Sequence, residues 1–199
     1  MTTIDLSRPD SALARRAMID SQLRTSGVNE PWVLAAMAAL PREDFVPEGA
    51  RDAAYTDRAV PLGKGRFLAA PLVQGKILAE AAPALTDAAL LISGGSDYLA
   101  ALLKPLVGSL RIVDAGDLAT TDLSGPYSLI IVDGAAEELP EALAQALAPE
   151  GRLITGLVEG GITRLAVGRR VLDGLVFLPL ADLGIPVLAD LAAPRRWSF

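Results

Sequence analysis

The residues able to do chemistry concentrate around one short stretch. In LLISGGSDYLAALL, Leu90 to Leu103, an apolar run stops at Ser93-Gly94-Gly95-Ser96 and a helical pattern begins at Asp97. The next apolar run, SLRIVD, ends on Asp114. A strand, a glycine turn and a helix N-terminus offer backbone amides to a ligand, and an acid ending the neighbouring strand accepts ribose hydroxyls. That combination suits a nucleoside. The same residues also make a plain tight turn with aspartate caps, and spacing alone leaves both readings open. The sequence contains no cysteine and no histidine. Thiolate catalysis, disulfides and cysteine–zinc sites are excluded, and no metal site is expected. Any reaction must use carboxylates, hydroxyls, lysine, arginine or a bound cofactor.

These residues need elements to position them. Residues 10 to 26 read as a helix capped by Asp10 or Ser11, with Leu13, Ala17 and Leu23 on one side and Gly27 as its stop. A second helix starts at Asn29, with Pro31 in its first turn, and runs to Pro41. The stretch from Pro41 to Pro71 is rich in proline, glycine and charge, and reads as an irregular lid with a short hairpin. A third helix begins at Pro71 and ends before Pro83. Apolar runs then alternate with helical segments. Strands are expected at 89–93, 109–114, 127–133, 151–158, 163–170 and 174–180, with helices from Asp97 and over 138–147. This predicts an α/β fold, a mostly parallel sheet covered on both faces with an antiparallel ending. One domain is expected over 1–199, with a helical and lid region at 1–83 and a core at 84–199.

Composition removes several function classes. Hydrophobic residues make up 51% and the net charge is -6, with both signs spread along the chain. No basic stripe is available to neutralise phosphates, so nucleic acid is not an expected partner. MTTIDLSRPD carries no basic-then-apolar signal pattern, and the apolar stretch from Gly174 to Ala193 is broken by Asp182, Pro186 and Asp190. A cytoplasmic protein without membrane spans is the expectation.

The first half carries a more specific pattern. Met18 to Leu23, Gly27 to Met37, Pro41 to Pro47 (P-R-E-D-F-V-P), Ala54 to Asp57 (A-Y-T-D) and Pro61 to Gly65 (P-L-G-K-G) follow one another in order. Together with GPYSLIIVDGAAEELPEALAQALAPEGRLI they resemble the protein-L-isoaspartate O-methyltransferases. The resemblance implies a Rossmann-like class I methyltransferase sheet, S-adenosylmethionine as cofactor, and methylation of the carboxylate of isoaspartyl residues in proteins. It places Ser93, Gly94, Gly95, Ser96 and Asp114 on the cofactor side, and Tyr55, Asp57 and Ala69 on the substrate side. For these last residues the plainer reading is structural: Tyr55 packs, Asp57 bonds backbone and Gly63 turns the chain.

Three departures from the family pattern bear on activity. Aligned on Tyr98, the glycine-rich turn keeps Gly95 but has Ser93 and Asp97 where the family has glycine, with Gly94 out of register. Between Asp114 and Pro126 the family's next helix, third strand and Gly-Asp turn are missing. The reading that keeps Asp114 at the second strand deletes an edge strand with its helix from an implied sheet order of 3-2-1-4-5-7-6. In the other reading SLRIVDAGD is the third strand and the second is gone. A new edge would need cover, with Arg111 to blunt it or a second copy to pair with it. Finally, Ala69 stands where the family has a hydroxyl next to the reacting carboxylate, a loss worth about 10²-fold in rate. The expectation is a family member with impaired or lost cofactor binding and a binding or regulatory role. The alternatives are an active carboxyl methyltransferase and a peptide binder that keeps only the substrate groove. The RRWSF end, Arg195 to Phe199, is expected to anchor the tail, with a contact for a partner as the alternative.

Overall fold

A computed structural model describes residues 11–193. The Asp10 cap and the RRWSF anchor lie outside them. Helix α1 (Ser11–Met18) continues through a π-helical turn (Ile19–Leu23) and a 3-10 turn (Arg24–Ser26), and stops at Gly27 with φ 79°. Only glycine takes that left-handed stop without strain. The buried side of this segment is Met18, Ile19 and Leu23; Leu13 and Ala17, expected there, are exposed. The π-helical turn shifts the phase of a pattern that a uniform 3.6-residue period would assign. Helix α2 (Pro31–Ala39) starts on its proline, two residues after the expected Asn29, and ends before Pro41. The lid contains the hairpin β1 (Val60–Gly63) and β2 (Arg66–Leu68), followed by α3 (Pro71–Ala81).

The core alternates as the apolar runs predict: β3 (Ala88–Ser93), α4 (Tyr98–Leu103), β4 (Ser109–Asp114), β5 (Tyr127–Ala136), α5 (Glu141–Ala146), β6 (Leu147–Glu159), β7 (Ile162–Val171) and β8 (Gly174–Asp182). The sheet order is β4-β3-β5-β6-β7-β8, with β7 and β8 antiparallel. SLRIVD therefore lies at the edge as the neighbour of β3, and Asp114 sits beside Ser93. Among the described residues no strand lies beyond β4 in this sheet, in keeping with the reading that keeps Asp114 at the second strand. Arg111 covers part of this edge by donating to the Tyr127 hydroxyl and the Asp122 carbonyl.

The other end of the sheet departs from the implied 5-7-6 order, because β6, β7 and β8 lie side by side in chain order. The reason is loop length. Gly160 and Gly161, with φ 59° and 80°, join β6 to β7 in two residues, and Leu172-Asp173 join β7 to β8. Positive φ at both central positions gives the turn that matches strand twist. Two residues cannot carry a strand past its neighbour.

Side chains alternate across the buried strands. Leu91, Leu129, Ile131 and Ile154 face α1, α2, α3 and α4, while Leu90, Ile92, Ile130 and Leu153 face α5 and the 115–123 segment. Each such aliphatic side chain contributes about 1.5–3 kcal/mol on burial. At the amino ends of the strands, Arg152 donates to Asp87 at 2.8 Å and to the Ala81 and Ala82 carbonyls, and Ser128 donates to Asp87 at 2.6 Å. Burial works against it, yet Arg152 and Ser128 hold the Asp87 carboxyl below its usual range. This clamp ties α3, β3, β5 and β6 together. Among the described residues no helix is long and apolar enough to cross a membrane.

A second polar cluster joins the N-terminal layer to the sheet. The fully buried Arg42 guanidinium donates to the Ala54 carbonyl at 2.7 Å, to Gln74 and to the Ala69 carbonyl, and lies over the Tyr98 ring at 4.9 Å. Asp133, at the carboxyl end of β5, is buried beside this cluster, and its Oδ1 has no hydrogen-bond partner among the described residues. Burial pushes its carboxyl up to about 6; Gln74 and Arg42 offset only part of the shift.

Arg42→Leu strips partners from two carbonyls and Gln74, and is expected to lower unfolding free energy by about 3 kcal/mol in urea melts. Asp133 adds a pH dependence. Its folded pKa is raised, so the folded chain keeps a proton that the unfolded chain releases near ~3.9. The resulting stabilisation is complete below that value and is lost as pH rises through about 6. The stability of the wild type relative to Asp133→Asn should therefore fall by roughly 2–3 kcal/mol between pH 4 and 7.5, measured by the same melts.

Candidate functional site

The carboxyl ends of β3, β4 and β5 bring together the cofactor-side residues read from the sequence. Ser93, Gly94, Gly95 and Ser96 form the turn, and Asp114 pairs in register with Ser93. Gly95 has φ 101° and keeps the glycine-only conformation. Gly94 is required for a different reason: a Cβ there would lie 2.2 Å from the Asp133 carbonyl oxygen. Its place out of register thus answers to the close approach of β5.

The serines close the turn on itself. Ser93 Oγ accepts from the Gly95 amide at 3.1 Å, and Ser96 Oγ accepts from the Tyr98 amide at 3.2 Å. These are donors a ligand would otherwise use. Asp97 makes no side-chain cap bond, so the capping role open to it belongs to Ser96.

The space in front of the turn is filled by residues that sequence reasoning did not single out. Arg66, opening β2, lays its stem on Gly95: a Cβ on that glycine would meet Arg66 Cγ at 2.9 Å. Its Nη2 pairs with Asp114 Oδ1 at 2.7 Å and with Asp190 Oδ2 at 3.1 Å. Asp114 Oδ1 also caps the turn after β4 by accepting from the Gly116 amide at 2.8 Å. One of the two carboxylate oxygens that suit a ribose hydroxyl therefore already has two partners.

A strap over 183–193 completes the cover. It runs alongside the end of β5, with the Ala135 amide donating to the Pro186 carbonyl and the Leu188 amide to the Ala135 carbonyl. The Glu137 and Glu138 amides donate to the Leu191 carbonyl. Leu188 is thereby pressed against Gly134, where an added Cβ would meet its Cγ at 2.5 Å, and also reaches Gly94. What remains beside Arg66, Leu188 and Asp190 is a cavity of about 250 Å³. An acid at the end of β4 gives no sign in sequence of which distant cation will find it, so Arg66 and Asp190 could not be paired in advance.

On the substrate side the three expected residues separate. Tyr55 is buried and its hydroxyl joins Arg15, the Arg42 amide and Glu43, so it packs the N-terminal layer as the structural reading proposed. Burial and the Glu43 carboxylate push its phenol up. Asp57 makes no hydrogen bond to backbone among the described residues, contrary to the structural role open to it. It borders a groove of about 350 Å³ with Arg58, Ala70 and Leu183. Ala69 is buried behind that groove, its carbonyl held by Arg42. Asp133 is the acid that sequence reasoning missed at this end of the sheet. Its signal was present in YSLIIVD, where a charge ends the most apolar strand.

Comparison with known proteins gives the family and the fold. The family model for protein-L-isoaspartate(D-aspartate) O-methyltransferase matches residues 14–117. A protein-L-isoaspartate O-methyltransferase of Methylorubrum extorquens is 32% identical, with 83% of this chain and 83% of that protein aligned. A second, from Rhodopseudomonas palustris, is 30% identical over 90% of this chain and 84% of its own. Among solved structures, a beta-aspartate methyltransferase from Plasmodium falciparum in complex with S-adenosyl-L-homocysteine superposes with a TM-score of 0.72 at 18% identity, covering 92% of this chain and 100% of that one. That likeness is one of fold. The chain belongs to the protein-L-isoaspartate O-methyltransferase family.

Proposed function

We propose that this family member has impaired binding of S-adenosylmethionine and serves as a binding or regulatory protein toward protein or peptide partners. Family membership and the S-adenosyl-L-homocysteine-bound neighbour support S-adenosylmethionine as the cofactor this fold is built for. The arrangement of residues at the strand ends supports weakened binding of it. Arg66 lies on the glycine turn and pairs with Asp114, while Leu188 fills the space over Gly134. This internal cover is the observation that carries the reading. The self-bonded serines and Ala69 in place of a hydroxyl support it. A homodimer through the β4 edge belongs to the same reading, supported by the half-exposed Ile112 on that strand.

The test is a calorimetric and thermal-shift titration with S-adenosylmethionine and S-adenosyl-L-homocysteine. A ligand at 100 times its dissociation constant adds about 2.7 kcal/mol of stability. The expected result is no saturable binding at millimolar ligand, with Arg66→Ala gaining at least about tenfold in affinity, or ~1.4 kcal/mol. Tight wild-type binding followed by methylation of an isoaspartyl peptide would establish the active carboxyl methyltransferase instead. Sedimentation showing a monomer at every concentration would remove the homodimer.

A further inference from the structure

A further concavity lies where the segment after β5 meets α5 and β8. It is a groove of about 380 Å³ between α5 and the β8 edge. Leu139, Leu157, Leu175 and Phe177 give it an apolar floor, and the exposed acids Glu137, Glu138, Glu141 and Asp173 surround it. None of these four carboxylates enters an ion pair among the described residues. An apolar floor inside an acidic rim fits a segment that carries both arginine and aromatic side chains.

The chain itself supplies such a segment at that place. The described residues end at Ala193, and its amide donates to Glu137 Oε2 at 2.8 Å, on the rim of the groove. The remaining residues are Pro194-Arg195-Arg196-Trp197-Ser198-Phe199. Six residues reach about 20 Å when extended, at ~3.3–3.6 Å each. Two arginines match the rim in sign, and two aromatic rings match the floor in character. A tether this short keeps the local concentration of the segment high, so modest contacts suffice.

We infer that Arg195 to Phe199 dock in this groove of their own chain, with the aromatic rings on the apolar floor and the arginines among the carboxylates. Docking fixes the far end of the strap that carries Leu188 and Asp190. The inference stands on the groove and the tail, and does not depend on whether the cofactor binds.

Trp197 is one of two tryptophans, so its fluorescence can be isolated in a Trp32→Phe background, or as the difference between the wild type and Trp197→Phe. In the native full-length chain the expected Trp197 emission is blue-shifted, with several-fold lower acrylamide quenching than in urea. The exposed triple change Glu138→Lys, Glu141→Lys and Asp173→Lys should move both readouts toward their urea values while circular dichroism stays native. High salt should act in the same direction. Solvent-like emission in the native chain would overturn the inference. So would shielding that survives the charge reversal, which would place the tail elsewhere. Shielding lost on dilution together with dissociation of a dimer would show the groove to be filled by a second copy, and would overturn docking within the chain.

Discussion

The ends of β3 and β5 approach so closely that Gly94 has room for a hydrogen and nothing more against the Asp133 carbonyl. Much of the site follows from this constraint. It fixes the path of the chain into α4 and leaves Gly95 to make the left-handed turn. With Gly134 on the adjoining strand it also leaves a shallow floor without side chains. In water such a floor attracts whatever apolar group can reach it. Leu188, carried by a strap hydrogen-bonded to the end of β5, does reach it. Glycines that in a nucleotide-binding fold admit a ligand here admit two side chains of the same protein.

The electrostatics follow the same logic. A carboxylate at the end of an edge strand, partly shielded from water, is stabilised by a nearby cation whether that cation belongs to a ligand or to the protein. Arg66 fills this role for Asp114 and Asp190 together. Both acids keep appreciable exposure, so the pairs contribute modestly to stability and are weakened by salt. Their importance lies in where the arginine stem is held, over Gly95.

What could be read in advance divides along physical lines. Local signals were sufficient for the strands at 89–93 and 109–114, for the helix opening on Pro71, and for the stop at Gly27, because each depends on a few neighbouring residues. The placement of SLRIVD at the edge rested on the sheet order implied by the family resemblance and on its distance from the preceding helix. Phase was harder: the π-helical turn moved burial from Leu13 and Ala17 to Met18 and Ile19. At the site, Gly95 and Asp114 were legible, since a turn glycine and a strand-end acid announce themselves locally. Their occupants were not. Arg66 and Asp114 are 48 residues apart, and no periodicity links a hairpin arginine to an acid across the sheet.

The Asp87–Arg152 clamp lies at the amino ends of the strands, away from the glycine turn. Because α3, β3, β5 and β6 are tied there by a dense set of charge-assisted bonds, that part of the sheet's cohesion does not depend on the glycine turn or the β4 edge. The turn and the edge are thereby freer to vary than the buried Arg42 and Asp133 beside them. Replacing a turn glycine by serine, dropping a hydroxyl at Ala69 or losing an edge strand leaves the anchorage of the remaining strands intact. The fold can outlive changes to its original chemistry because the two are secured at opposite poles, which makes this scaffold evolvable.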